Sequence, residues 1–190
     1  MADILNNLSP EGLLHLIEGQ IEKIDTIGTD EMIRLRRDLE KDDSDPSQWF
    51  ELGLALNQAA MNRDVLVMQR EEMLHPGEEE LHPDTSGSTP IYEEALRVFD
   101  KVLAMEPDYY GVQTQRGIVC GNLHRLEDAE RCYLQALADD EEDFSAAYYL
   151  GLTYRDMGNE ASARKYLALA HELNPDDDSL TNAQGESVER

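Results

Sequence analysis

A spacing of 34 residues recurs along this chain and limits its fold more than any other feature. Phe99, Tyr133 and Leu167 stand at that interval, as do Ala95, Ala129 and Ala163, and Val102, Ala136 and Ala170. Arg116-Gly117 and Leu150-Gly151 repeat it, and Pro107 and Pro175 lie two periods apart with Glu141 midway. A fixed period of this size describes a helical hairpin that cannot bury its own apolar face, so the units must stack on one another. The expected fold is all-α, a solenoid of helical hairpins.

Helix start and stop signals divide the chain accordingly. Ser9-Pro10 opens a first helix with Leu13, Ile17, Ile21 and Ile24 at helical spacing. Gly28 ends it, and Thr29 or Asp30 caps a second helix striped by Met32, Leu35 and Leu39. Residues 1–45 therefore read as an N-terminal helix pair, either a degenerate repeat or an unrelated cap. Asp45-Pro46 opens the next block, with Trp49, Leu52, Gly53 and Leu56, and no breaker follows before Pro76. A single helix over 47–74 would be about 42 Å long, twice what a hairpin partner covers. Residues 75–90, with three prolines and two glycines, read as a loop, and a helix restarts at Ile91 or Tyr92. Gly53 and Gly117 are 64 apart, one period plus 30. The first repeat, 46–109, thus holds an insertion at about 60–89; repeats at 110–143 and 144–177 and a polar tail at 178–190 follow.

The unit resembles the tetratricopeptide repeat. Trp49-x-x-Leu52-Gly53 is followed, after the insertion, by Tyr92-x-x-Ala95-x-x-x-Phe99-x-x-Val102 and Pro107. Leu150-Gly151-x-x-Tyr154-x-x-x-Gly158 is followed by Ala163, Leu167, Ala170 and Pro175. The middle copy is less regular, with Gly117, Cys120, Leu126, Ala129, Tyr133 and Ala136. The resemblance implies a right-handed superhelical stack of about three repeats plus the N-terminal pair. It also implies a concave groove, lined by the leading helix of each repeat, that binds a peptide or protein segment.

Carried onto this sequence, that face comprises Phe50, Leu54 and Asn57, then Thr114, Gln115, Ile118 and Asn122, then Tyr148, Tyr149, Leu152 and Arg155. It is apolar and amide-rich, and amides can both donate to and accept from a peptide backbone. Some family members grip a C-terminal carboxylate with Lys, Asn and Arg on this face. The matching positions here are Phe50, Leu54, Gln115, Ser145 and Tyr149, so that clamp is missing. The chain also resembles secretion-type chaperones in size, acidity and repeat count.

Charge sharpens what can bind. Asp and Glu number 41 against 16 Lys and Arg, a net charge of −25. Nucleic acid and anionic membrane surfaces both call for clustered basic residues, so neither is an expected partner. The acidity fits a solvated surface, a basic partner or a high-salt host. No apolar run reaches membrane-span length and the first residues lack a leader pattern, so a cytoplasmic location is expected. Enzyme motifs such as G-x-x-x-x-G-K-S/T, G-x-S-x-G and H-E-x-x-H are absent, and no catalytic activity or cofactor is expected. His75 and His82 flank a run of glutamates without the spacing of a metal cage. Cys120 and Cys132 fall on the two helices of one hairpin and read as small core thiols, with a bridge as the lesser alternative.

The insertion is the second candidate surface. Val65, Leu66, Met68 and Met73 lie beyond the reach of a hairpin partner. Their cover could be a second copy of the chain, making it a self-assembling subunit through 60–74, the chain's own N-terminal helices, or a foreign protein.

Overall fold

The computed structural model describes residues 9–78 and 81–175; the predicted tail at 178–190 lies outside them. Among the described residues the chain is all-α, without strands. It divides into two compact units, 1–106 and 107–190.

Unit 1 begins with α1 (Pro10–Thr26), whose Ser9 cap accepts from the Gly12 amide at 3.2 Å. The helix ends at Gly28, in the left-handed region at φ 85°, where its N–H returns to the Lys23 carbonyl. Thr29 then caps α2 (Asp30–Leu39). Asp45 caps α3 (Pro46–Leu74), a helix of 29 residues. A short 3₁₀ turn, Ser86–Ser88, leads into α4 (Thr89–Met105). That helix starts two residues earlier than the sequence predicts, because Pro90 is accommodated within the first turn.

The α3/α4 hairpin closes on one contact. Gly53 faces the Phe99 ring so closely that an added Cβ would lie 2.4 Å from Phe99 Cε1. Phe99, Leu56, Ala95 and Val102 are fully buried around it. α4 pairs with only the first part of α3, and the remainder overhangs. α1 covers one side of this overhang: Ile17 and Ile21 are buried with Val67, and Leu13, Leu66 and Met73 pack around them. Burying each such side chain contributes roughly 1.5–3 kcal/mol. Of the three covers the sequence leaves open, the chain's own N-terminal helix takes this inner face. α1 and α2 both pack on α3 rather than chiefly on each other.

A polar network pins the overhang. Arg63 is buried and needs partners to offset the loss of hydration. Its Nε donates to Asp25 Oδ1 at 2.5 Å and one terminal nitrogen donates to Asp25 Oδ2 at 3.1 Å. The other reaches the buried Ser88 hydroxyl at 3.4 Å. Ser88 donates to Asp64, which also accepts from the Tyr92 hydroxyl at 2.9 Å. One carboxylate on α1, two charged residues on α3, the 3₁₀ turn and α4 are thereby joined. The end of the 75–90 loop is anchored rather than free, since Ser88 is needed to complete the network.

Unit 2 comprises α5 (Val112–Asn122), α6 (Leu126–Asp139), α7 (Phe144–Asp156) and α8 (Glu160–Leu173). α5 pairs with α6 and α7 with α8, and α7 also packs on both α5 and α6. The close contact recurs here: a Cβ on Gly117 would lie 2.4 Å from Tyr133 Cε1, and one on Gly151 would lie 2.7 Å from Leu167 Cγ. The two tight turns also match at 34 residues. His124 and Gly158 both have positive φ, 55° and 74°, and in each turn the following amide closes back on the first helix. Cys120 and Cys132 are free, buried and on opposite helices of the α5/α6 hairpin.

Two outcomes follow from these contacts. Gly117→Ala should lower stability by about 1–3 kcal/mol, because the buried Tyr133 ring has no room to yield, whereas His124→Gly should raise it by about 1 kcal/mol by relieving a left-handed backbone; urea midpoints of the two variants check both signs. Burial first, and the Asp64 bond second, raise the Tyr92 phenol well above its ordinary value. The folded state thus holds this proton more tightly than the unfolded chain, so the contribution is complete below about pH 10 and is lost as pH rises beyond it. Urea midpoints between pH 8 and 11 should therefore fall more steeply for the wild type than for Tyr92→Phe.

Candidate functional site

In unit 2 the face that the repeat pattern marks for binding belongs to α5 and α7. Gln115, Ile118 and Asn122 stand at i, i+3 and i+7 on α5, one stripe of that helix. Tyr148, Tyr149, Leu152 and Arg155 form the matching stripe on α7. Gln115, Ile118, Tyr148, Tyr149 and Leu152 are half-buried, and Asn122 and Arg155 are exposed. Arg155 lies 3.9 Å from Asp156, so the stripe has little net charge on a strongly acidic chain.

Aromatic rings organise α7. Tyr148 stacks on Phe144 with centroids 6.0 Å apart and meets Tyr149 edge-on at 5.3 Å. Tyr149 in turn lies parallel to the buried Tyr133 of α6 at 6.2 Å. Offset stacking and edge contacts of this kind hold rings in fixed orientation. Burial, and then the neighbouring Tyr148, raise the Tyr149 phenol above its usual value, so it stays neutral and able to donate. Part of this surface serves the hairpin itself, since Tyr148 and Leu152 also pack against Ala147, Leu167 and Ala170.

Thr114 is a correction to the predicted face. It is buried, and its hydroxyl donates to Asp143 Oδ2 at 2.5 Å. Asp143 also caps α7 by accepting from the Ala146 amide, so Thr114 holds two leading helices together instead of presenting a surface. Asn57 in unit 1 is likewise buried on α3 and does not lie on an open face. Phe50 and Leu54, also on α3, are half-buried, and Phe50 packs on Phe99 with centroids 5.9 Å apart.

The sequence gives no sign of a cavity of about 270 Å³ at the N-terminal end of α5. Asp108, Asp139, Asp140 and Asp143 line it, with Tyr109 and Tyr110. Tyr110 is exposed and donates to Asp140 at 3.4 Å, and the charges of Asp140 and Asp143 raise its phenol. Asp108 lies 31 residues before Asp139, and only the return of α6 toward α5 gathers these acids.

On the second candidate surface, Val65 and Met68 are exposed, while Leu66 and Met73 are half-buried beside α1. His75 lies near Glu71 and Glu78, and among the described residues no group of three or more His, Cys, Asp or Glu side chains is placed to hold a metal ion. Among those residues no helix is long and apolar enough to cross a membrane.

Asp143→Ala should cost about 1–2 kcal/mol, removing a helix cap and leaving the buried Thr114 hydroxyl without its acceptor. Asp143→Asn, which keeps an acceptor, should cost less; thermal unfolding of the two variants tests the order.

Comparison with known proteins finds likeness in the repeat and in the fold. Residues 144–177 match the family model described as tetratricopeptide repeat. Over 82 residues the chain is 33% identical to Superkiller complex protein 3 of Homo sapiens, an alignment covering 43% of this chain and only 5% of that protein. In fold it is similar to the structure named MamA RS-1 ArsTM double mutant, with a TM-score of 0.59, 19% identity, and 90% of this chain and 81% of that chain covered. It is also similar to MamA MSR-1 C2, with a TM-score of 0.55, 19% identity, and coverage of 90% and 79%.

Proposed function

We propose that this chain, a tetratricopeptide-repeat protein, uses the α5/α7 face of unit 2 to hold a low-charge, apolar segment of another protein. The family's fold is that of protein–protein interaction modules. The observation that carries the finer reading is the pair of stripes on α5 and α7. Rigid aromatic side chains and amides lie together there, with one internally balanced ion pair, on a chain of net charge −25. Tyrosine offers large contact area for little conformational entropy, so Tyr148 and Tyr149 are the anchors of this reading. Gln115 and Asn122 would satisfy the backbone of the bound segment, and Ile118 and Leu152 would cover its apolar side chains.

The aspartate-lined cavity beside Thr114 gives the segment a direction. A lysine or arginine near one end would find Asp139 and Asp140 within that cavity. Binding through such a contact weakens as salt screens it.

Panning a random peptide library on the whole chain tests the reading. Selected peptides should be apolar with a single basic end, and Tyr148→Ala/Tyr149→Ala, checked for helix content by circular dichroism, should bind them at least about tenfold more weakly. Equal binding by the folded double variant would refute the assignment of this face.

A further inference from the structure

The overhang of α3 has a second side. α4 pairs with the first part of the helix, and α1 covers the inner face of the rest. Met61, Val65 and Met68 follow one another at i, i+4 and i+7 on the outer face, 39%, 53% and 53% exposed. Six of the nine exposed large apolar side chains among the described residues lie between 16 and 74, so the exposure is concentrated in unit 1. Beside the stripe, a groove of about 430 Å³ runs between α3 and the C-terminal part of α1. Ile24, Val65 and Leu66 form its apolar lining, with amides from Gln20, Asn62 and Gln69. Its one charged pair, Lys23 and Asp30, is 3.0 Å apart and self-neutralising.

We infer that this outer face is the contact between two copies of the chain. A two-fold contact places the same patch on both sides, so the patch must complement itself. Aliphatic side chains do so, and so do amides, each of which donates and accepts. A patch of one charge sign does not. With 41 acidic and 16 basic residues per chain, most of the surface would meet a second copy with like charge, whereas the stripe of Met61, Val65 and Met68 is uncharged and the groove's single pair balances.

The size of the face sets the strength. Residues 61–74 extend about 20 Å along the helix axis, and an adjacent helix widens the face by about 10 Å. Contact over that area removes roughly 400 Å² from each copy, half of the ~800 Å² per partner of a standard stable interface. The dimer is therefore weak and reversible. Its salt dependence is distinctive: the long-range repulsion between two acidic chains is screened by salt, so association strengthens as salt is added. A basic protein partner on the same face would show the opposite trend. This inference is independent of the reading of the α5/α7 face.

Sedimentation velocity on the full chain from about 5 to about 300 μM, at low and high sodium chloride, tests it. The expected result is a monomer–dimer equilibrium that shifts toward dimer with both concentration and salt. Val65→Glu/Met68→Glu should be monomeric throughout with unchanged helix content, since both sites are exposed and Glu suits a helix. Leu134→Glu, at an exposed apolar site in unit 2, should dimerise like the wild type. A wild-type monomer at the highest concentration and salt would overturn the inference, as would unaltered dimerisation of Val65→Glu/Met68→Glu or dissociation on adding salt.

Discussion

Each hairpin of this protein depends on a ring or branched side chain pressed onto a glycine of the facing helix. Gly53 receives Phe99, Gly117 receives Tyr133 and Gly151 receives Leu167, at separations that leave no room for a methyl group. The contact lets two helices approach closely while a large apolar group still fills the seam, which a close-packed interior requires. It also fixes the rotation of each leading helix about its axis. Because Gly117 and Gly151 turn inward, Gln115, Ile118, Tyr149 and Leu152 are carried to the neighbouring faces of α5 and α7. The candidate surface is thus a consequence of the packing.

Unit 1 applies the same contact with a different outcome. Thirty additional residues separate Gly53 from Phe99, and the structure spends them on lengthening α3 and returning through a loop. An overhanging helix exposes both its sides. α1 covers one of them, held by Ile17 and Ile21 against Val67 and by the Asp25–Arg63 pair. The buried arginine ties α1, the overhang of α3 and α4 into one network, and Ser88 and Tyr92 satisfy the polar groups that burial strips of water. The remaining side keeps its methionines and valine in solvent, where adaptable apolar side chains favour contact with another molecule.

Much of the fold is legible from spacing because repetition states the same packing rule several times. The caps Ser9, Thr29 and Asp45 are legible for a local reason: a side-chain oxygen must meet an amide two or three residues away. Thr114, Asn57 and the aspartate cavity are not legible in this way. Whether a threonine on a helix stripe faces a partner or bonds a neighbouring cap depends on where Asp143 arrives, 29 residues later. Asp108, Asp139 and Asp140 likewise become one wall only when α6 folds back on α5.

The sequence by itself determined the helical hairpins, their 34-residue period, the length of the insertion and the acidity of the surface. All of these follow from residue order, through periodicity, capping and charge. Tertiary structure alone decided which face of the overhanging α3 is covered, that Arg63 is buried rather than solvated, and which polar residues of the stripes turn inward. Those outcomes depend on contacts between residues tens of positions apart, and a linear pattern does not say which of several apolar or charged partners will meet.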